Sequence, residues 1–172
     1  MRTGWTIAVA ALALTACATA QRDVPTARAE LVPTAGNQAK GTVNFAQYRD
    51  KVRVSGKITG LVPNSQHGFH VHEKGDCSAP DATSAGGHFN PLNKAHGHAV
   101  PGGRHAGDMP NLRADGAGQA TFSFDLSGMS VNEGETNVVG RSVIVHAKPD
   151  DYRTQPTGDA GARLACGVIE KR

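Results

Sequence analysis

The sequence has few aromatic residues, little net charge and no run of basic residues. Only 5% of its 172 residues are Phe, Trp or Tyr, and its formal net charge is +3. Because Lys and Arg are scattered and form no basic patch, a nucleic-acid-binding function is not indicated. Helical patterns are weak, whereas Gly is abundant at 21 residues. These features are typical of a loop-rich β protein, and the length fits one domain with its own core.

The only apolar stretch near the N-terminus, residues 7–14, is too short to cross a bilayer as a helix. It follows a basic start at Arg2 and ends in Leu14-Thr15-Ala16-Cys17, which resembles a bacterial lipobox. The pattern predicts a lipoprotein signal peptide at residues 1–16, with Cys17 lipidated as the first residue of a membrane-anchored periplasmic protein. An ordinary signal peptide that is cleaved near Ala20 is the alternative.

The remaining chain divides into a tether and a domain. We expect residues 17–38 to form the tether, in which residues 29–32 begin the first strand, and residues 39–172 to form the domain. Within the domain, apolar residues recur at every second position, for example at Val52 and Val54. This alternation is typical of strands with one buried face. Two long stretches without it, residues 73–109 and 147–163, are predicted to be functional loops.

Cysteine is scarce, because the chain has only Cys17, Cys77 and Cys166. An odd number in an exported protein needs an explanation, and lipidation of Cys17 would leave one pair. A bridge between Cys77 and Cys166 would close a loop of roughly 90 residues, worth roughly 4–5 kcal/mol on the chain-entropy model. It would also require an oxidising compartment such as the periplasm.

Histidine, in contrast, is concentrated in three parts of the chain together with one aspartate. The seven candidate ligands are His70, His72, His88, His96, His105, Asp108 and His146. Imidazole and carboxylate are common protein ligands of zinc and copper. Seven such groups are too many for one four-coordinate ion, so they predict a two-metal site.

Three of these histidines belong to strand patterns. His70 and His72 are two residues apart, so their side chains leave the same face of a strand, whereas Phe69 and Val71 point the other way into a core. His146 ends a second apolar strand pattern. Three imidazoles fixed by strands would need a fourth donor to complete a tetragonal copper site.

The loop ligands form a complete set of their own. His88, His96, His105 and Asp108 give three imidazoles and one carboxylate, which is a closed tetrahedral zinc set. A closed set is structural, because it leaves no position for water. One loop His would have to serve both sites, and His88 is the nearest to the strand set in sequence. His88 is therefore the candidate bridge.

Five motifs of this chain resemble those of the bacterial copper-zinc superoxide dismutases. They are His67-Gly68-Phe69-His70-Val71-His72-Glu73, Gly86-Gly87-His88-Phe89-Asn90-Pro91, Arg104-His105-Ala106-Gly107-Asp108, Val145-His146, and Gly158-Asp159-Ala160-Gly161-Ala162-Arg163-Leu164-Ala165-Cys166-Gly167. They follow the family's order from about residue 40 to the C-terminus.

The resemblance implies a role for each matching residue. Copper would be held by His70, His72, His88 and His146, and zinc by His88, His96, His105 and Asp108, with His88 as the bridging imidazolate. Arg163 would be the active-site arginine beside copper, and Asp150 would link a copper histidine to a zinc histidine. Cys77 and Cys166 would form the disulfide, and His67 would be structural.

The resemblance also implies the fold and the reaction. The fold would be an eight-stranded antiparallel Greek-key barrel, or flattened sandwich, with two long functional loops. The reaction would be dismutation of superoxide to dioxygen and hydrogen peroxide, in antioxidant defence of the cell envelope. Copper would cycle by one electron, as zinc cannot. His88 would deliver a proton and Arg163 would orient the superoxide anion, and a homodimer is possible.

Three other functions fit the residues less well. A non-enzymatic copper or zinc binding protein on the same fold is the main alternative, but it would not need Arg163 beside copper or a bridging His. A zinc hydrolase would need an open water position and a base, and no Glu is placed for that role. An electron-transfer copper protein would need a free Cys ligand, whereas the resemblance commits Cys77 and Cys166 to the disulfide.

One loop departs from the animal cytosolic branch of the family. The segment of residues 150–158 is shorter than in that branch and lacks the Lys that guides superoxide there. Lys74, Lys94 and Arg104 are therefore candidates to steer superoxide in this chain.

Overall fold

Strands dominate the regular structure of this chain. The computed structural model describes residue 1, residues 24–98 and residues 103–172. Within those ranges the regular elements are ten strands and one short 3-10 helix, η1 (Thr83–Ala85). The strands are β1 (Thr26–Pro33), β2 (Lys40–Tyr48), β3 (Lys51–Thr59), β4 (Gln66–His67), β5 (Phe69–His72), β6 (Leu112–Arg113), β7 (Ala120–Ser127), β8 (Ser142–His146), β9 (Arg163–Val168) and β10 (Glu170–Lys171).

Eight of the strands form one curled, antiparallel sheet. Their order is β5-β8-β9-β1-β2-β3-β7, with β10 beside the start of β1. β1 joins the two halves of the sheet, because it pairs with β2 over most of its length and with β9 at Val32 and Pro33. β7 lies next to β3 although three strands separate them in sequence, and β4 pairs with β6 outside the main sheet. The predicted all-β, eight-stranded antiparallel fold is confirmed.

The core lies between the two halves of the sheet. Phe45 of β2 and Val54 of β3 are cross-strand partners, and both are fully buried. Phe69 of β5 contacts Phe122 of β7 edge-on, with ring centroids 5.2 Å apart. Because β5 and β7 are the two ends of the sheet, this contact closes the curled sheet over its core. The period-two alternation in the sequence therefore predicted the buried face correctly.

The first strand begins earlier than the sequence predicted. Its alternation places Ala27, Ala29 and Leu31 in the core, so the strand starts at Thr26 and not at residue 29. The strand expected at residues 29–32 is therefore longer, and residues 26–33 of the segment assigned to the tether lie in the sheet. Small Ala side chains hid the alternation. Cys17 and most of the predicted signal peptide lie outside the described residues.

Within the described residues, no helix has the length and apolar character needed to span a membrane.

The predicted disulfide is present and fastens a loop to the sheet. Cys77 lies in the loop after β5 and bonds to Cys166 of β9, with a Cα–Cα distance of 5.8 Å. Around the bridge, Ile144 of β8 packs with Ala82 and Ala85 in a small apolar cluster of its own. The loop that carries η1 is thereby held against the outer face of β8 and β9.

Candidate metal centre

The strand histidines lie together on the outer face of β5 and β8. The two strands pair directly, with Phe69 opposite Val145 and His72 opposite Ser142. Phe69 and Val71 point into the core, as predicted, so His70 and His72 point away from it. His146, at the end of β8, lies on the same outer face. All three imidazoles are nevertheless buried, because the two long loops cover this face.

These three imidazoles and His88 form the first group of candidate ligands. One ring nitrogen from each of the four side chains lies within 4.8 Å of the corresponding atoms of the others. Within the group, Nε2 of His72 is 3.3 Å from Nε2 of His146. The rings of His70 and His88 are 4.0 Å apart between centroids. Four imidazoles at this spacing are able to bind one ion.

In His72 and His146, one ring nitrogen donates a hydrogen bond to a backbone carbonyl, and this bond determines that the other nitrogen faces the group. Nδ1 of His72 donates to the Gly86 carbonyl at 2.9 Å, and Nδ1 of His146 donates to the Gly161 carbonyl at 3.1 Å. The Nε2 atom of each ring is therefore left with its lone pair. Burial, and then the neighbouring imidazoles, hold the pKa of His72 and His146 well below the usual range. Both rings are neutral, as a metal ligand must be.

The second group of candidate ligands surrounds one carboxylate. Asp108 Oδ1 is 2.9 Å from His88 Nδ1 and 3.2 Å from His105 Nδ1, and its Oδ2 is 3.0 Å from His96 Nδ1. Burial alone would raise the pKa of Asp108, but its contacts with His105, His88 and His96 outweigh burial and bring this pKa well below the usual range. The carboxyl group is ionised at neutral pH. Three imidazoles and one carboxylate match the donor set that zinc prefers in a closed site.

His88 belongs to both groups, as the sequence predicted. Its Nδ1 faces Asp108 in the second group, and its Nε2, which is buried without a hydrogen-bond partner, is the ring nitrogen left for the first group. Burial lowers the pKa of His88 to about 4, although its contact with Asp108 acts in the opposite direction. Its backbone also pairs with that of His72 in a short antiparallel bridge. This pairing attaches the loop ligand to the strand that carries the first group.

Asp150 connects the two groups from the opposite side. Its Oδ2 accepts a hydrogen bond from His70 Nε2 at 2.8 Å, and its Oδ1 accepts one from His96 Nε2 at 2.9 Å. His70 is in the first group and His96 in the second. Each bond leaves the other ring nitrogen, Nδ1, facing its own group. Burial lowers the pKa of His96, but its contacts with Asp108 and Asp150 outweigh burial and raise it to about 9.

Four buried ring nitrogens at the centre form no hydrogen bond of good geometry in the described structure: His70 Nδ1, His88 Nε2, His96 Nδ1 and His105 Nδ1. The last two lie 3.0 and 3.2 Å from the Asp108 carboxylate but are poorly aligned with it. A buried polar atom without a partner costs about 1–3 kcal/mol, so such atoms are rare in folded proteins. Each of these nitrogens faces one of the two ligand groups. The residues therefore fit two bound metal ions, and imidazole nitrogen suits both copper and zinc.

Arg163 lies at the edge of the first group. It is the cross-strand neighbour of His146, and its guanidinium donates to the Ala82 carbonyl at 2.5 Å and to the Gly86 carbonyl at 2.6 Å. Its positive charge contributes to the lowered pKa of His72 and of His146. Arg163 is half-buried.

Other residues near the centre have different tasks. His67 is buried and contacts the His146 carbonyl through Nδ1 at 2.7 Å, so it supports a candidate ligand and is not one itself. The Arg104 guanidinium donates to the carbonyls of Asp108 and Ser127, at 2.7 and 2.6 Å. That guanidinium is committed to the loop around Asp108, which argues against the steering role that was expected for it.

Two exposed lysines stay available for steering. Lys74 and Lys94 are both solvent-exposed, and neither side chain forms an ion pair within the described residues. The expectation that they help to steer superoxide therefore stays a prediction.

Sequence reasoning missed two amides that hold the centre together. The Asn111 side chain accepts from the Asp150 N–H and donates to the Asp150 carbonyl, both at 2.9 Å. The Gln155 side chain does the same to His96, with distances of 2.9 and 2.8 Å. No pattern in the sequence marks isolated loop amides of this kind. Gly158, the first residue of the fifth motif, packs directly against Asp150 and His96, a contact that the motif did not predict.

Comparison with known proteins connects this centre to one family. The family model described as "Copper/zinc superoxide dismutase (SODC)" matches residues 39–169. "Superoxide dismutase [Cu-Zn] 2" of Aquifex aeolicus is 40% identical over 147 residues, which cover 83% of this chain and 85% of the relative. "Superoxide dismutase [Cu-Zn]" of Deinococcus radiodurans is 36% identical over 181 aligned positions, gaps included, which cover 98% of this chain and 97% of the relative. The crystal structure of the clock protein EA4 matches with a TM-score of 0.76 and 39% identity, over 84% of this chain and 93% of that one.

Proposed function

Because the chain belongs to the copper/zinc superoxide dismutase family, we propose that its two ligand groups divide the two metals between them. Copper is bound by His70, His72, His88 and His146, and zinc by His88, His96, His105 and Asp108. The observation that carries this assignment is that His88 belongs to both groups, with Nδ1 toward Asp108 and an unpartnered Nε2 toward the other three imidazoles.

The chain is an oxidoreductase that uses copper and zinc to dismutate superoxide. Two superoxide anions and two protons give one dioxygen and one hydrogen peroxide. Bound copper supplies the one-electron oxidation and reduction, whereas zinc has no redox chemistry. The protein must therefore supply three things: fixed ligands, a binding position for a small anion, and a proton.

His88 is proposed as the residue that holds and delivers the proton. Its Nδ1 is engaged on the Asp108 side, so Nε2 is the atom at which a proton would be held and passed to superoxide, in the state in which this nitrogen is not bound to copper. This is general acid chemistry by an imidazole.

Arg163 is proposed to bind and orient superoxide. Superoxide is a small anion, and a guanidinium beside the copper group offers it charge and directed N–H donors. The carbonyls of Ala82 and Gly86 fix the position of this guanidinium. Because η1 and its loop are fastened by the Cys77–Cys166 disulfide, Arg163 is held at both its backbone and its side chain.

Asp150 is proposed to hold the imidazole rings of His70 and His96 in a fixed orientation relative to each other. A carboxylate that accepts from one ligand of each metal fixes the orientation of both rings. It also makes the position of each ring sensitive to the other site.

We propose a periplasmic location with a lipid anchor at Cys17. The bacterial superoxide dismutase relatives are consistent with a secreted protein. The Cys77–Cys166 disulfide agrees with an oxidising compartment. The pattern at residues 7–17 supports the lipid, and incorporation of radiolabelled palmitate that is lost in Cys17→Ser would test it. The homodimer stays a prediction.

One experiment separates the enzyme from a metal store on the same fold. The domain is purified, loaded with copper and zinc, and assayed for metal content and for superoxide dismutation on the same sample. The proposal requires about one copper and one zinc per chain together with activity. Two bound metals without activity would instead support the metal-store alternative.

A further inference from the structure

Gln155 makes an unusual pair of hydrogen bonds with a candidate zinc ligand. Its Oε1 accepts from the backbone N–H of His96 at 2.9 Å, and its Nε2 donates to the backbone carbonyl of His96 at 2.8 Å. Both polar atoms of one carboxamide are thus engaged by a residue 59 positions away in the sequence. The pairing imitates the exchange of two hydrogen bonds between neighbouring strands.

His96 depends on such support because it lies outside every strand. The other candidate zinc ligands are held through local backbone contacts: His88 pairs with β5, and the Asp108 backbone N–H donates to the His105 carbonyl at 3.2 Å. For His96, the backbone hydrogen bonds found among the described residues are the two with Gln155. The position of its main chain therefore rests on a side chain from the second long loop.

The same loop also holds the imidazole ring of His96. Gln155 lies five residues after Asp150, whose carboxylate accepts from His96 Nε2 at 2.9 Å. The loop is folded back on itself by a hydrogen bond from the Asp151 N–H to the Gly158 carbonyl at 2.9 Å. Asp150 is in turn fixed by Asn111 through a second two-point amide contact. One loop therefore fixes the ring and the backbone of His96 at once.

We propose that Gln155 is a positioning residue of the zinc site. Its carboxamide holds the His96 backbone at the distance that lets the ring reach Asp108 on one side and Asp150 on the other. Gln155 touches neither superoxide nor a metal ligand atom, so it acts through His96 alone. This inference rests on the proposed assignment of His96 to zinc.

Two substitutions test the role. Gln155→Leu keeps a similar side-chain size and removes both hydrogen bonds to His96, together with a longer one from Nε2 to the Arg153 carbonyl at 3.3 Å. Gln155→Glu keeps an acceptor for the His96 N–H but places a carboxylate oxygen against the His96 carbonyl, where a donor is needed. Gln38→Leu and Gln38→Glu are matched controls, because Gln38 is an exposed glutamine in the turn between β1 and β2.

The readouts are zinc affinity by chelator competition and the visible spectrum of Co²⁺ bound in place of zinc. Residues that support a metal ligand typically change metal affinity 10–100-fold, so both Gln155 variants should bind zinc about tenfold more weakly than wild type. Their Co²⁺ bands should shift, because the orientation of His96 changes. Copper affinity should stay within about twofold, and the Gln38 variants should match the wild type in every readout.

Two results would overturn the inference. In the first, zinc affinity and the Co²⁺ spectrum of both Gln155 variants equal those of the Gln38 controls. In the second, the affinities for zinc and copper and the melting temperature of the metal-free protein all fall, while the Co²⁺ bands stay in place. That result would indicate a general loss of stability of the fold and no specific effect on His96. His96→Ala separates this from a failure of the ligand assignment: if that variant keeps wild-type zinc affinity, the assignment itself is wrong.

Discussion

Arg163 and His72 donate hydrogen bonds to the same carbonyl oxygen, that of Gly86. The distances are 2.6 Å from the guanidinium and 2.9 Å from His72 Nδ1. One backbone atom in the disulfide-fastened loop therefore fixes both a candidate copper ligand and the cation proposed to bind superoxide. The distance between ligand and cation is set by the fold and not by two flexible side chains.

Arg163→Ala is expected to lower the dismutation rate at least tenfold while copper and zinc content stay unchanged. The physical reason is loss of the charge and N–H donors that orient the anion. Arg163→Lys should recover only part of the rate, because one ammonium cannot replace a guanidinium that contacts two carbonyls. Rates and metal content are measured on the same samples, with Arg153→Ala as the control for an exposed arginine in the second loop. An unchanged rate in Arg163→Ala would remove Arg163 from the mechanism.

Asp150→Asn should weaken the binding of at least one of the two metals by about 10–100-fold. The amide keeps the size of the carboxylate but can accept through only one of its two polar atoms, so either His70 or His96 loses its partner. Asp151→Asn is the matched control, because Asp151 is the next residue and, as far as the structure describes the chain, its carboxylate accepts from groups of residues 153 and 154 and not from a histidine. Chelator competition gives the affinities. Equal affinities of the two variants for zinc and for copper would show that Asp150 does not support the ligands.

Gly158→Ala should also release zinc, for a steric reason. A Cβ atom at this position would lie 1.8 Å from Asp150 Oδ1 and 2.6 Å from His96 Nε2. Gly134→Ala separates this clash from backbone strain, because Gly134 has a similar positive φ of +89° and no atom within 4 Å of the added Cβ. Both variants should lose some stability, but only Gly158→Ala should lose zinc affinity. Parallel zinc loss in both would point to strain alone.

The disulfide is expected to contribute about 2–5 kcal/mol to the free energy of unfolding. Cys77→Ser combined with Cys166→Ser should lower the denaturant midpoint of the metal-free domain accordingly. Activity of the metal-loaded variant should fall as well, because the loop that carries the Gly86 carbonyl is no longer fastened to β9. Cys17→Ser should change neither quantity. A double variant with the wild-type midpoint would contradict the stabilising role.

The sequence predicted the parts of this molecule that follow a simple period. The alternation at Val52 and Val54 marked a strand, and the spacing of His70 and His72 placed both imidazoles on one face. The start of β1 was missed because its buried positions include Ala27 and Ala29, which carry little hydrophobic signal.

The candidate metal ligands could also be predicted from the sequence, whereas the residues that hold those ligands in place could not. Histidine and aspartate are common metal ligands, so their presence in clusters indicates a metal site. The family motifs then indicate which of them would bind copper and which zinc. Gln155 and Asn111 carry no such mark, because a loop amide is usually a solvated side chain. Their roles depend on which two loops meet in space, and only the fold determines that.

The account rests most heavily on His88 as the ligand shared by two metals. The most direct measurement is the visible absorption of bound Cu²⁺ in wild type and in His88→Ala, recorded with and without zinc. Zinc should shift the copper bands of the wild type, and His88→Ala should lose most of that shift, because the direct connection is gone and only the indirect one through Asp150 stays. Wild-type copper bands that do not respond to zinc, or a response of wild-type size in His88→Ala, would contradict the shared ligand.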